Sequence, residues 1–77
     1  MSEEVSLIAR IVNKFPTGNN NILLEVEGSG KKEIVVVDKG KKSLFRKVKD
    51  LVVNDVVKVI GVMSVALIMA REVSPIE

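Results

Sequence analysis

The sequence predicts an all-β barrel of five strands, with one short helix set between the third and the fourth. Three features of the chain point there. Its 77 residues include fifteen valines, and Val, stiff at χ1, packs well on a pleated surface. Apolar and polar residues alternate with period two over several short runs. Clusters of Gly, Pro and Asn separate those runs. Residues 1–77 are read as a single domain. A domain near this size buries only about 60% of the surface its unfolded chain exposes, so the core must be efficient.

Residues 5–15 place Val5, Leu7, Ala9 and Ile11 on one side and Ser6, Arg10 and Lys14 on the other, the pattern of a half-buried strand. The run Pro16-Thr17-Gly18-Asn19-Asn20-Asn21 ends it, because Pro has no ladder donor and Gly and Asn tolerate positive φ. Residues 22–27 turn Ile22, Leu24 and Val26 inward and Glu25 and Glu27 outward. A Gly28-Ser29-Gly30-Lys31-Lys32 turn returns the chain through residues 33–38 as a hairpin. Ser43 is the expected N-cap of the helix. Leu44, Phe45, Val48, Leu51 and Val52 follow on one helical face, with Lys42, Arg46 and Lys49 on another. Val53-Asn54-Asp55 reads as a turn into residues 56–63, and a second turn near Ser64 leads into 65–73. These last two strands are apolar on both faces, so part of their surface is expected to lie beneath other structure or a partner.

A helix between the third and fourth of five strands resembles the oligonucleotide/oligosaccharide-binding (OB) fold, a Greek-key barrel. Residues 51–62 are similar to the fourth-strand entry of many OB domains, with a turn residue, Asp55, then Val56, Val57 and Val59, then Gly61. Asn54 stands where that pattern usually has Gly, and Asn also visits the left-handed region. The likeness covers the element order of most of the chain but only these twelve residues as sequence. SH3-like and Sm-like barrels are the competing small barrels, and the Sm type usually carries its helix before the first strand. In size and order the chain resembles small OB subunits of single-strand-binding complexes. The resemblance implies a ligand face on the second and third strands, flanked by the loops between strands one and two and between strands four and five.

The sequence has no Cys and no His. No disulfide, thiolate nucleophile or zinc site is expected, and the usual neutral-pH general base is missing. The expectation is a non-enzymatic protein without metal, cofactor or small-molecule substrate. The start, Met1-Ser2-Glu3-Glu4, is acidic, unlike a signal peptide. The longest uncharged stretch, residues 59–70, is twelve residues where a membrane helix needs about 20. A cytoplasmic location follows as the expectation. The absence of Cys and Gln beside plentiful Val, Lys and Glu points to a thermophile.

Charge is unevenly placed. Lys39, Lys41, Lys42, Arg46, Lys47 and Lys49 fall in one acid-free segment, and the rest of the chain sums to −4. Such a patch is the footprint of a polyanion contact, although Lys and Arg also populate the solvated face of any amphipathic helix. Arg10, Lys14, Lys31 and Lys32 join it as candidate nucleic-acid contacts, with the polar loop 17–21 beside them. Six phosphate contacts would give a log–log salt slope of roughly −4 to −5. Against this reading, Glu25 and Glu27 project from the strand that should face nucleic acid. Only two aromatic residues are present: Phe45, assigned to the core, and Phe15, at a strand–loop junction open to core or ligand. Val35, Val37, Val65, Leu67 and Met69 form the candidate protein interface, since exposed apolar surface marks partners or self-association. The expected function is an accessory OB protein of replication, repair or transcription. It would contact phosphates of single-stranded DNA or RNA and dock on a larger protein. The alternative is a purely structural interaction subunit.

Overall fold

The computed structural model describes residues 3–16 and 21–76. The strands are β1 (Glu3–Pro16), β2 (Ile22–Gly28), β3 (Lys31–Val37), β4 (Val56–Ser64) and β5 (Leu67–Pro75), with the helix α1 (Lys42–Lys49) between β3 and β4. The predicted order is the observed one. The strands close in the sequence β1-β2-β3-β5-β4, the OB arrangement. β3 and β5 run parallel and every other pair is antiparallel.

Closure depends on β1 serving two neighbours. Residues 3–10 pair with β4, and residues 10–16 pair with β2. The register slips between Ile11 and Asn13, so Val12 is the extra residue of a bulge, the device by which one strand bends around a barrel corner. Ile11 spans the junction: its N–H donates to Asp55 O at 2.9 Å, and its carbonyl accepts from Asn54 N–H at 2.7 Å. Asn54 takes φ 83°, so the left-handed geometry expected of it is present.

Inside the barrel, Ala9, Ile11, Leu24, Val26, Val35, Val37, Val57, Val59, Ile68, Ala70 and Val73 form the core with Val48 and Leu51. Val35 and Val37 are 0% exposed, which removes them from the candidate protein interface. The outward positions of β3 are Ile34 and Val36, because alternation on this strand puts the odd residues inside. Gly61 lies in the wall of the barrel where β4 crosses β5. A Cβ there would sit 2.4 Å from Met69 O and 2.9 Å from Ile68 Cγ2, so only Gly lets the two strands meet.

The helix starts earlier than expected. Phe45 N–H donates to Lys41 O at 2.8 Å, making Lys41 the N-cap, with no side-chain cap bond. Ser43 is therefore inside the first turn and does not cap it. Asp38 shapes the entry instead: its Oδ1 accepts from Gly40 N–H at 2.7 Å and its carbonyl from Lys41 N–H at 3.0 Å, an Asx-type turn. The helix also ends earlier, at Lys49. Leu51 remains buried, but Val52 leaves the apolar face for an exposed turn closed by Asp55, whose Oδ2 accepts from Val52 N–H at 2.9 Å. Val48 is buried in the core, with Leu44 and Phe45 packed against it, as the helical spacing predicted. Among the described residues no helix is long and apolar enough to cross a membrane.

Candidate nucleic-acid interface

The outer surface of β1, β2, β3 and β5 carries three rows set by the register. Arg10, Glu27 and Lys32 form a charged row; Asn13, Glu25, Ile34 and Leu67 form a mixed one. The third row, Phe15, Leu23, Val36 and Met69, is wholly apolar. Phe15 is 48% exposed, and Leu67 and Met69 are also exposed, whereas Val36 is buried although it belongs to no part of the inner core.

The bulge at Val12 determines this surface. Beyond it the alternation of β1 reverses, so Asn13 and Phe15 point outward beside Glu25 and Leu23. Lys14, read from the sequence as an outward partner of Arg10, falls opposite the core residue Leu24. Its Nζ donates to Lys49 O and Leu51 O, each at 2.8 Å. Lys14 thus satisfies the Lys49 carbonyl that the end of the helix leaves orphaned, and that of Leu51 just beyond it. Arg10 is outward but engaged: Nη1 donates to Asn54 Oδ1 at 3.1 Å and Nη2 lies 3.5 Å from Glu27 Oε1. Asn13 Nδ2 donates to Glu25 Oε1 at 2.6 Å. The two acidic residues of β2 are therefore matched by neighbours on β1.

The acid-free segment occupies one end of the barrel. Lys39 lies in the β3–α1 connection, and its N–H donates to Asn21 Oδ1 at 3.1 Å. Lys41, Lys42 and Lys47 line an open groove of about 390 Å³ between α1 and β5, together with Ser43, Leu44, Arg71 and Glu72. Arg46 and Lys49 share the helix without lining that groove. Arg71, which was not singled out in the sequence, owes its place to a second register shift: Ile60 faces Glu72 and Gly61 faces Ala70, so Arg71 is extra on β5. A lone Arg after an apolar run carries no signal of such a bulge.

Lys31 and Lys32 do not join this patch. They begin β3, whose far end leads into the helix, and seven residues of strand set the two ends roughly 20 Å apart. Near the hairpin tip a second open groove, about 590 Å³, is lined by Ser6, Ile8, Gly28, Lys31, Glu33 and Lys58 among others. It mixes charges and has no cationic surplus like that of the helix end. Val65, at the β4–β5 turn, is 99% exposed at φ 57°, a backbone region in which β-branched residues are rare. Residues 17–20 of the polar loop proposed as a contact lie outside the described residues. Among the described residues no polar or charged side chain is buried and no group of three or more acidic side chains could hold a metal ion.

Strand order, helix position and open outer sheet define an OB-fold domain. Its shape matches that of asparaginyl-tRNA synthetase from Pyrococcus horikoshii with a TM-score of 0.89 over 99% of this chain and 20% of that one, at 21% identity. The same synthetase complexed with asparaginyl-adenylate matches at 0.85, with 21% identity over 99% of this chain and 19% of that one. A tRNA fluorescent labeling enzyme matches at 0.85, with 17% identity over 96% of this chain and 18% of that one. The chain thus spans a fifth or less of the structures it matches. At these identities the likeness is one of fold. No protein-family model matches the sequence, and no curated protein does.

Proposed function

We propose that the chain is a non-enzymatic OB module that binds RNA in single-stranded form. Bases would lie on the outer sheet face and phosphates would be drawn by the 39–49 segment. The carrying observation is the placement of Phe15: the Val12 bulge turns it onto the outer face at the end of an apolar row, next to the hydrogen-bonding groups of Asn13 and Glu25. A half-exposed aromatic beside polar groups is a stacking position, and stacking tolerates any base. The charge of Glu27 is offset by Arg10, and Glu25, whose partner Asn13 is neutral, stays as the one anion of these pairs. The structural neighbours are named for tRNA, which directs the proposal to RNA rather than DNA.

An accessory role beside a larger protein, in the cytoplasm, completes the proposal. Of the interface residues expected from the sequence, Val65, Leu67 and Met69 are exposed and available for such docking. The test is a fluorescence-anisotropy titration of a labelled single-stranded RNA of about twelve nucleotides, with a duplex alongside, at two salt concentrations. The single strand is expected to bind more tightly, with a log–log salt slope of roughly −4. No binding at low salt would overturn the reading in favour of a purely structural interaction subunit.

A further inference from the structure

We propose that the groove between α1 and β5 is a phosphate subsite formed by Lys41, Lys42, Lys47 and Arg71, and that Glu4 is its built-in competitor. This rests on the RNA reading above and adds which cations touch the backbone. A solvated amphipathic helix accounts for lysines on α1. It does not account for an arginine on β5, distant in sequence, brought to the same groove by a bulge. Four cationic side chains line the groove against one carboxylate, that of Glu72, and Ser43 supplies a hydroxyl. Met69, at the end of the apolar row, precedes Arg71 by two residues on β5. The groove therefore continues the outer sheet face, so a strand whose bases lie on that face can carry its phosphates into it.

Arg71 is not idle in the free protein. Its Nη1 donates to Glu4 Oε2 at 2.7 Å, and both side chains are more than half exposed. An exposed ion pair of this kind is weak. A phosphate offers the guanidinium a bidentate partner and can replace the carboxylate. Glu4 then lowers affinity by holding Arg71 until phosphate arrives.

The experiment compares two pairs of substitutions that remove the same charge from the same helix, Lys42→Gln with Lys47→Gln and Arg46→Gln with Lys49→Gln. Each is titrated with the single-stranded RNA over a range of salt. The groove pair is expected to flatten the salt slope by about 2, the other pair by less than about 1. Glu4→Gln is expected to tighten binding about threefold, and that gain is expected to vanish when Arg71→Gln is added. Equal slope changes in the two pairs would overturn the subsite, as would a Glu4→Gln gain that survives without Arg71, which would be bulk charge alone. A wild-type protein that binds no RNA would overturn the RNA reading and this one together. Binding with two indistinguishable pairs would overturn only the subsite. All substituted side chains are exposed, and a thermal melt confirms that each variant is folded.

Discussion

The outer sheet face and the helix end both carry cations, but the two regions use them differently. On the sheet, Arg10 is held by Glu27 and Asn54, and Glu25 is held by Asn13. On the helix, residues 42–49 include no carboxylate, and Lys42 and Lys47 face a groove that Arg71 joins from β5. The first arrangement holds these side chains in place and keeps Arg10 engaged, while Glu25, bonded to a neutral amide, keeps its charge. The second leaves charge available. Counting basic residues along the chain cannot separate the two, because the difference lies in what each side chain faces.

The largest expected effect breaks the comparison at its charged end. Reversing Lys42, Arg46 and Lys47 to Glu is expected to weaken single-strand binding at least about 100-fold at low salt. The same reversal at Lys31 and Lys32 is expected to cost less than about fivefold. Anisotropy titrations of both variants decide it, and equal losses would show that the basic residues act as one diffuse field. Next in size is Phe15→Ala. It is expected to cost about 1–3 kcal/mol of binding, the worth of one stacked base, while leaving the melting temperature almost unchanged because the ring is half exposed. A variant that lost stability and kept affinity would place Phe15 in a structural role.

The smallest effect concerns the joint between the two regions. Lys14→Met removes the ammonium that ties β1 to the end of α1. A charge-assisted bond of this kind contributes about 1.5 kcal/mol, so urea denaturation is expected to show a loss of that order. Binding is expected to fall less than in the helix variants, since Lys14 does not line the groove. Unchanged stability would mean that the two carbonyls find water equally well.

The fold was legible because it depends on features that the sequence carries locally: alternating strands, turn residues between them and one run at helical spacing. The inside and outside of each strand were legible only as far as the first bulge. Parity along β1 held for Val5 to Ile11 and then reversed at Val12, which moved Lys14 inward and Phe15 outward. The bulge at Arg71 hid a groove residue in the same way. Nothing in the side chains of either site announces an extra residue, because bulges arise from the pairing of distant strands. β3 was misjudged for a different reason. Four apolar residues in a row show no alternation, so Val35 and Val37 could not be told from Ile34 and Val36 until closure of the barrel chose between them. Ser43 is a good capping residue by type, yet Asp38, three residues before Lys41, has already turned the chain into the helix.

The most direct test of where nucleic acid sits is a backbone-amide chemical-shift titration of the folded domain with single-stranded RNA. The account predicts shifts concentrated at residues 39–49, at Arg71, and along the outer row at residues 13–15, 23 and 69. Shifts confined to the hairpin tip at residues 28–32, or no shifts at all, would contradict it.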